Sequence, residues 1–196
     1  MKPIKVAVIG IGHLGSVHAR IYSQLESAQL VGVCDLDPEK AQKAAQAYGC
    51  QAQTDYTQLL DQVDAVSIAV PTQGHFPIAQ ACLSANLHTL IEKPITETVQ
   101  EADRLLRLCK KHHVLLQVGH VERFNAALRR VADILDNPRF IEVHRLAPFQ
   151  PRGTEVGVVL DLMIHDIDIV LGLMNSRVKR IEGLGVKVLT PFEDIA

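Results

Sequence analysis

The sequence contains no tryptophan, and aromatic residues make up only 4% of it. It has no run of lysine and arginine, no basic tail and a formal net charge of −2. It therefore lacks the electrostatic footprint and the stacking platforms of a nucleic-acid-binding protein. Cysteines stand at 34, 50, 82 and 109, none in a C-x-x-C pair and none at zinc-finger spacing from a histidine. That pattern points to reduced, mostly buried thiols rather than a disulfide framework or a structural metal. Long apolar runs are missing as well. Residues 6–9 are too few for the core of a signal sequence and lead straight into a glycine turn. No stretch approaches the roughly 20 apolar residues of a membrane span. These absences predict a soluble, cytoplasmic protein without membrane or nucleic-acid partners.

What is present is an apolar fraction of 47% in 196 residues, enough for one large domain or one domain with part of another. The first part alternates short β-branched runs with segments of helical spacing. Residues 4–9 (IKVAVI), 30–34 (LVGVC), 65–70 (AVSIAV), 88–91 and 114–118 (VLLQV) read as buried strands. Leu14, Val17, Ile21 and Leu25 recur at helical intervals, which predicts a helix over 12–26. Pro38 suits the first turn of a helix that reaches Tyr48, with Gly49 beyond its end. A further helix is expected over 77–85. Thr98 and Glu101 form a capping-box pattern ahead of a helix running to about His113. Alternation of this kind implies a doubly wound parallel sheet covered on both faces, an α/β Rossmann architecture occupying residues 1–120.

Residues 121–196 read differently. A helix is expected over 124–135, stopped by Asn137-Pro138, and an exposed-face strand over 140–149. A second helix is expected over 160–174 and a strand over 178–189. Such a unit has few strands with which to bury its helices, and small units bury little surface. The sequence therefore reads as a truncated form of a longer protein, its second α/β domain incomplete.

Gly10-Ile11-Gly12-His13-Leu14-Gly15 joins the first strand to the first helix. The G-x-G-x-x-G pattern alone is weak, and its position between strand and helix is what gives it meaning. Gly10 permits the tight turn, Gly12 lets the backbone approach a pyrophosphate, and Gly15 lets helix and strand pack closely. The helix N-terminus adds unpaired N–H groups. Asp35 ends the second strand 20 residues after Gly15, placed to accept from both hydroxyls of an adenosine ribose. With Asp37 nearby and no arginine beside them, the cofactor expected is NAD, with NADP disfavoured. His13 either borders the pyrophosphate or faces solvent. Val70, Pro71 and Thr72 end the 65–70 strand on the ligand edge, although Pro71 can equally be there to shape the turn.

Glu92-Lys93-Pro94 follows the 88–91 strand on that same edge. A lysine there can donate to a substrate oxygen or join proton transfer, or it can be an ordinary surface residue. In LDLMIHDIDIVLGLM, Asp161, His165 and Asp168 fall at i, i+4 and i+7, one stripe of a helix expected to be largely buried. Unpartnered polar groups are costly to bury, so the stripe is expected to face a wet or ligand-filled cleft. His165 fits the base that takes a hydroxyl proton, with Asp161 orienting it. A self-satisfied polar network and a metal site remain alternatives at this point.

These pieces, with the run Gly119-His120-Val121-Glu122-Arg123-Phe124-Asn125, resemble the Gfo/Idh/MocA oxidoreductase family over nearly the whole chain. The resemblance implies an N-terminal Rossmann domain and a C-terminal α/β domain built on an open, mainly antiparallel sheet whose face often makes oligomers. It implies that Lys93 is the catalytic lysine, aimed by a cis Lys93-Pro94 peptide, with Asp161 and His165 as its partners and no metal. The substrate implied is a ring hydroxyl of a sugar, cyclitol or nucleotide sugar, with Asn125 on a sugar hydroxyl. Gly119–Asn125 resembles most the members acting on UDP-N-acetylglucosamine at its 3-hydroxyl. A reductase of another carbonyl, an imine or a tetrapyrrole stays open, as does a non-catalytic NAD-binding regulator.

Overall fold

The run Ile4–Ile9 alternates its side chains between two apolar layers, and this places it at the centre of a sheet rather than at an edge. Val6 and Val8 pack on one face with Leu30, Val33, Ala19, Ala44 and Ala45. Ala7 and Ile9 pack on the other with Ile68, Ile91, Leu59, Leu83 and Leu105. The last five are fully buried, and each contributes about 1.5–3 kcal/mol relative to exposure. The structure is a computed structural model that describes residues 2–136, 138–146, 148, 156–174 and 176–196. By its internal contacts the chain divides into Met1–Gly119 and His120–Ala196.

In the first unit the elements run β1 (Ile4–Ile9), α1 (His13–Gln24), β2 (Ala28–Cys34), α2 (Pro38–Tyr48), β3 (Gln51–Gln53), a 3-10 turn at Tyr56–Leu59, β4 (Ala65–Ile68), α3 (Thr72–Ser84), β5 (His88–Ile91), α4 (Val99–His112) and β6 (Leu116–Val118). The strands form one six-stranded parallel sheet in the order β3-β2-β1-β4-β5-β6. Helices α1 and α2 cover one face, and α3 and α4 the other. The register aligns the strand ends: Cys34 pairs with Ile9, Ile9 with Ile68, Ile68 with Ile91, and Ile91 with Val118. Connections leaving these strands therefore emerge along one edge. The direction of winding reverses between β1 and β4, the position where open α/β sheets bind ligands.

The expected helix signals operate. Asp37 caps α2 by accepting from the Glu39 and Lys40 amides, and Gly49 ends it in the left-handed region. Thr98 and Glu101 form a reciprocal capping box on α4. Two expectations need revision. Helix α3 begins at Thr72, not Pro77, and runs through that proline. Its buried stripe of Thr72, His75, Ala79 and Cys82 outweighs the one hydrogen bond that Pro77 cannot donate. Strand β3 (QAQ) went unforeseen, because a three-residue polar edge strand carries no apolar signal.

In the second unit a 3-10 turn at Val121–Phe124 precedes α5 (Ala126–Ala132), and a π-helical turn at Val159–Met163 precedes α6 (Ile164–Leu173). No sheet forms among the described residues of this unit. The strands expected over 140–149 and 178–189 are irregular where described, apart from one antiparallel bridge between Val186 and Ile195. Positions 137, 147 and 149 lie outside the described residues. An isolated strand pair without a third strand or a helix to cover it is marginal, and Phe140, Leu146, Ile181 and Leu184 are exposed. The helix carrying the stripe is also less buried than expected: Ile167 and Leu171 are exposed, and Asp168 is its buried residue.

Charge pairs hold this unit's helices. Arg123 forks onto Asp168, with Nε to Oδ2 at 2.7 Å and Nη2 to Oδ1 at 2.5 Å. His120 Nδ1 lies 3.9 Å from the same carboxylate. Arg145 forks onto Asp166 at 2.8 and 2.7 Å. The Arg123 hydrogen bond holds the Asp168 carboxyl below the usual range against the opposing effect of burial, helped by the charges of His120, Arg123 and His165. A depressed carboxyl stabilises the fold above its unfolded pKa, near 4, and that contribution disappears as pH falls through the folded value. Asp168→Asn should therefore lose about 1–2 kcal/mol at pH 7, allowing for a largely exposed guanidinium, and progressively less as pH falls below about 4 through the lowered folded value. A urea-denaturation series from pH 7 down into the acid range measures the difference, and a loss that does not shrink with falling pH would contradict this account.

Candidate functional site

The glycine turn is built for close approach. Gly10 sits at φ +90°, and a Cβ there would come within 2.7 Å of the Ala69 carbonyl oxygen and 2.8 Å of the Val70 side chain. A Cβ on Gly15 would collide with the Gly10 carbonyl. Nothing comparable holds for Gly12: a Cβ on it would meet no atom within 4 Å. The chain's own packing thus requires Gly10 and Gly15 but not Gly12. The bare backbone of Gly12, at the N-cap of the twelve-residue α1, borders open space where orphan helix N–H groups point. His13 and Leu14, the first residues of α1, are exposed beside it.

Asp35 fastens this turn to the end of β2. Its Oδ2 accepts from the Ile11 amide at 2.7 Å and its Oδ1 from the Asp37 amide at 3.0 Å. An ionised carboxylate has about four acceptor positions, so each oxygen keeps capacity for a further donor. Lys40 stands 3.6 Å from Asp37, so a lysine, rather than an arginine, is the cation near the acidic pair. Open space beside Gly12 and spare acceptor capacity on Asp35 together fit a dinucleotide.

Val70, Pro71 and Thr72 follow β4 on the same edge, with Pro71 as N-cap of α3 and Thr72 buried as its first residue. Glu92 continues the ladder past β5, its amide donating to the Ile68 carbonyl at 3.0 Å, and the Lys93-Pro94 peptide is cis. The first unit therefore brings Gly10, Gly12, Asp35, Val70, Pro71, Thr72, Glu92 and Lys93 to one sheet edge.

Two histidines that the sequence reading left out stand behind this turn. His18 on α1 places Nδ1 2.7 Å from Ser67 Oγ and Nε2 3.0 Å from Glu92 Oε1. His75 on α3 places Nδ1 2.7 Å from the Pro94 carbonyl and Nε2 2.9 Å from the Val70 carbonyl. Burial pushes the Glu92 carboxyl up, but the hydrogen bond and charge of His18, with the amide and charge of Lys93, bring it below the usual range. Both histidines sit at sheet-facing positions of their helices, next to Gly15 and Ala19 or Thr72 and Ala79. A polar residue interrupting a small-residue stripe was the available signal.

In the second unit Asp161 lies in the π-helical turn and His165 at the start of α6, both half-buried. π-turns inside helices occur often at functional sites. The third stripe residue, Asp168, is engaged by Arg123 and serves to join elements. Asn125 caps α5, its Oδ1 accepting from the Ala127 amide at 3.0 Å while its Nδ2 donates to Glu122 at 3.1 Å. Among the described residues no group of three or more His, Cys, Asp or Glu is disposed to hold a metal ion, and no helix is long and apolar enough to cross a membrane.

A family model described as an oxidoreductase family with an NAD-binding Rossmann fold, GFO_IDH_MocA, matches residues 4–120. UDP-N-acetylglucosamine 3-dehydrogenase of Acidithiobacillus ferrooxidans is 39% identical over 194 residues, which are 98% of this chain and 61% of that protein. Its solved structure superposes with a TM-score of 0.91, covering 99% of this chain and 62% of that one. Inositol 2-dehydrogenase 4 of Saccharopolyspora erythraea is 32% identical over 188 residues, 90% of this chain and 56% of that protein. The chain thus spans 56–61% of the length of these two curated relatives.

Gly12 and Gly15 should separate binding from folding. Gly12→Ala should leave urea stability unchanged to within about 0.5 kcal/mol yet weaken dinucleotide binding at least about tenfold, because the methyl enters the space the phosphates need. Gly15→Ala should instead lose about 1–3 kcal/mol through overpacking. Denaturation curves and fluorescence titration with NADH distinguish the two.

Proposed function

From the premise that this chain belongs to the GFO_IDH_MocA oxidoreductase family, we propose that it oxidises a ring hydroxyl of a sugar or nucleotide sugar, with the 3-hydroxyl of UDP-N-acetylglucosamine as the first candidate. The observation that carries this reading is the Glu92-Lys93-Pro94 turn standing on the same sheet edge as the open Gly12 backbone and Asp35. The substrate class is favoured by the 39% identity with a UDP-N-acetylglucosamine 3-dehydrogenase over 98% of this chain. Inositol dehydrogenases among the relatives give a second reading, a free cyclitol.

In this proposal the glycine turn and the α1 N-terminus hold the pyrophosphate, flanked by His13 and Leu14. Val70, Pro71, Thr72 and Glu92 line the cofactor, and Asp35 takes the ribose hydroxyls. A 2′-phosphate would meet the carboxylates of Asp35 and Asp37, only partly offset by the exposed Lys40, so NAD is preferred over NADP. When bound, the nicotinamide supplies the hydride acceptor. Lys93 donates a hydrogen bond to the reacting oxygen. His165 takes the hydroxyl proton as the hydride leaves the same carbon, and Asp161 orients the imidazole. General-base participation of this kind contributes about 10²–10⁴-fold. Asn125 presents its exposed carboxamide to a sugar hydroxyl while still capping α5.

Incubation with NAD and either UDP-N-acetylglucosamine or myo-inositol, followed at the NADH absorbance, tests the reading. NADH should form with the nucleotide sugar; formation with the cyclitol alone would transfer the proposal to the second reading, and none with either would overturn both. Lys93→Ala and His165→Ala should each reduce kcat by about 10²–10⁴-fold with little change in NAD affinity. Asp35→Ala should weaken NAD binding and narrow the preference over NADP, as titrated with both reduced cofactors.

A further inference from the structure

Lys93 lies between two residues that are each fastened by a histidine. On one side the Glu92 carboxylate is enclosed, its side chain only 12% exposed. Oε1 faces His18 Nε2 at 3.0 Å, and Oε2 accepts from the Lys93 amide at 3.3 Å. Gly119 leaves room for it, since a Cβ there would come within 2.9–3.0 Å of the carboxylate atoms. His18 is itself fixed by the hydroxyl of Ser67, which is fully buried in β4. On the other side the Pro94 carbonyl faces His75 Nδ1, and His75 is 1% exposed.

We infer that His18, acting through the Glu92 carboxylate, is a positioning residue for Lys93, and that it ties the lysine's turn to the helix whose N-terminus borders Gly12. This rests on the proposed role of Lys93. Ser67, His18 and Glu92 have the residue types of a nucleophilic triad, but a serine closed inside the sheet can reach no substrate. What the array can do is hold a carboxylate in place. A carboxylate beside the Lys93 backbone, locked by a ring that is locked in turn, fixes the path of the turn before substrate arrives. Such support matters because a displacement of about 1 Å can reduce turnover by about 10²-fold. His75 secures the far end by linking Pro94 to Val70 at the end of β4.

The test uses the full chain and three variants. His18→Ala removes the ring; His18→Gln keeps a donor near the position of Nε2, facing Glu92; His18→Asn keeps one near Nδ1, facing Ser67. Hydrogen–deuterium exchange at the Lys93 amide and the rate of Lys93 acetylation, read by mass spectrometry, report on the turn without any turnover. NADH affinity and, with an active substrate, kcat and KM complete the set. In His18→Ala and His18→Asn, Lys93 amide exchange should accelerate by about tenfold or more. Acetylation of Lys93 should change and kcat should fall by about 10²-fold, with NADH affinity falling far less. His18→Gln should restore most of both. Should His18→Ala fail to fold, the contrast between Gln and Asn decides. Unchanged exchange and labelling in a folded His18→Ala, or equal behaviour of the Gln and Asn variants, overturns the inference. Absence of turnover in the parent chain would count against the dehydrogenase reading alone, because exchange and labelling still decide the role of His18.

Discussion

Ile9 is paired in register with β2 on one side and β4 on the other, and the row that joins it to Cys34 and Ile68 continues through Ile91 to Val118. A shift by one residue in any of these strands would turn its side chains to the opposite face. The register cannot slip, because both faces of β1 are buried under helices. Every group at the sheet edge inherits its place from that row. The next amides continue it: Gly10 donates to the Cys34 carbonyl, Ala69 to Ile9, Glu92 to Ile68 and Gly119 to Ile91. The edge is thus still ordered by backbone pairing at the point where its residues become available for chemistry.

Behind that edge the helices carry two kinds of residue. Glycine and alanine at Gly15, Ala19 and Ala79 allow close packing on the sheet, and histidines at His18 and His75 reach from the same helical faces toward the loops. The apolar clusters supply the stability. The polar pairs that cross them fix the directions of Glu92 and Pro94. In the second unit the corresponding work is done by ionic forks, Arg123 on Asp168 and Arg145 on Asp166, rather than by a layered core.

Much of the first unit was legible in the sequence, because each signal there had a local physical cause. The glycines at 10 and 15 follow from turn geometry and packing, Asp37 and Thr98 from orphan helix amides, and residues 4–9 from their double burial. The start of α3 was not legible, since Pro77 is a stronger local signal than the tertiary burial of Thr72 and His75. Nor were the roles of His18 and His75, which depend on carbonyls and a carboxylate distant along the chain. In the second unit, apolar alternation near 140 and 180 suggested strands, but a strand exists only through its partners. Asp161 and His165 were picked out by spacing, whereas Asp168 on the same stripe pairs with Arg123, an association no helical period can reveal.

The bonds that Asp35 makes to the Ile11 and Asp37 amides bear on the thermodynamics of recognition. They immobilise the acidic side chain and the mouth of the loop through the chain's own bonds. Under the role proposed for Asp35, a nucleoside arriving there would meet acceptors whose rotameric freedom was already surrendered when the chain folded. Its association would be correspondingly spared that entropic penalty.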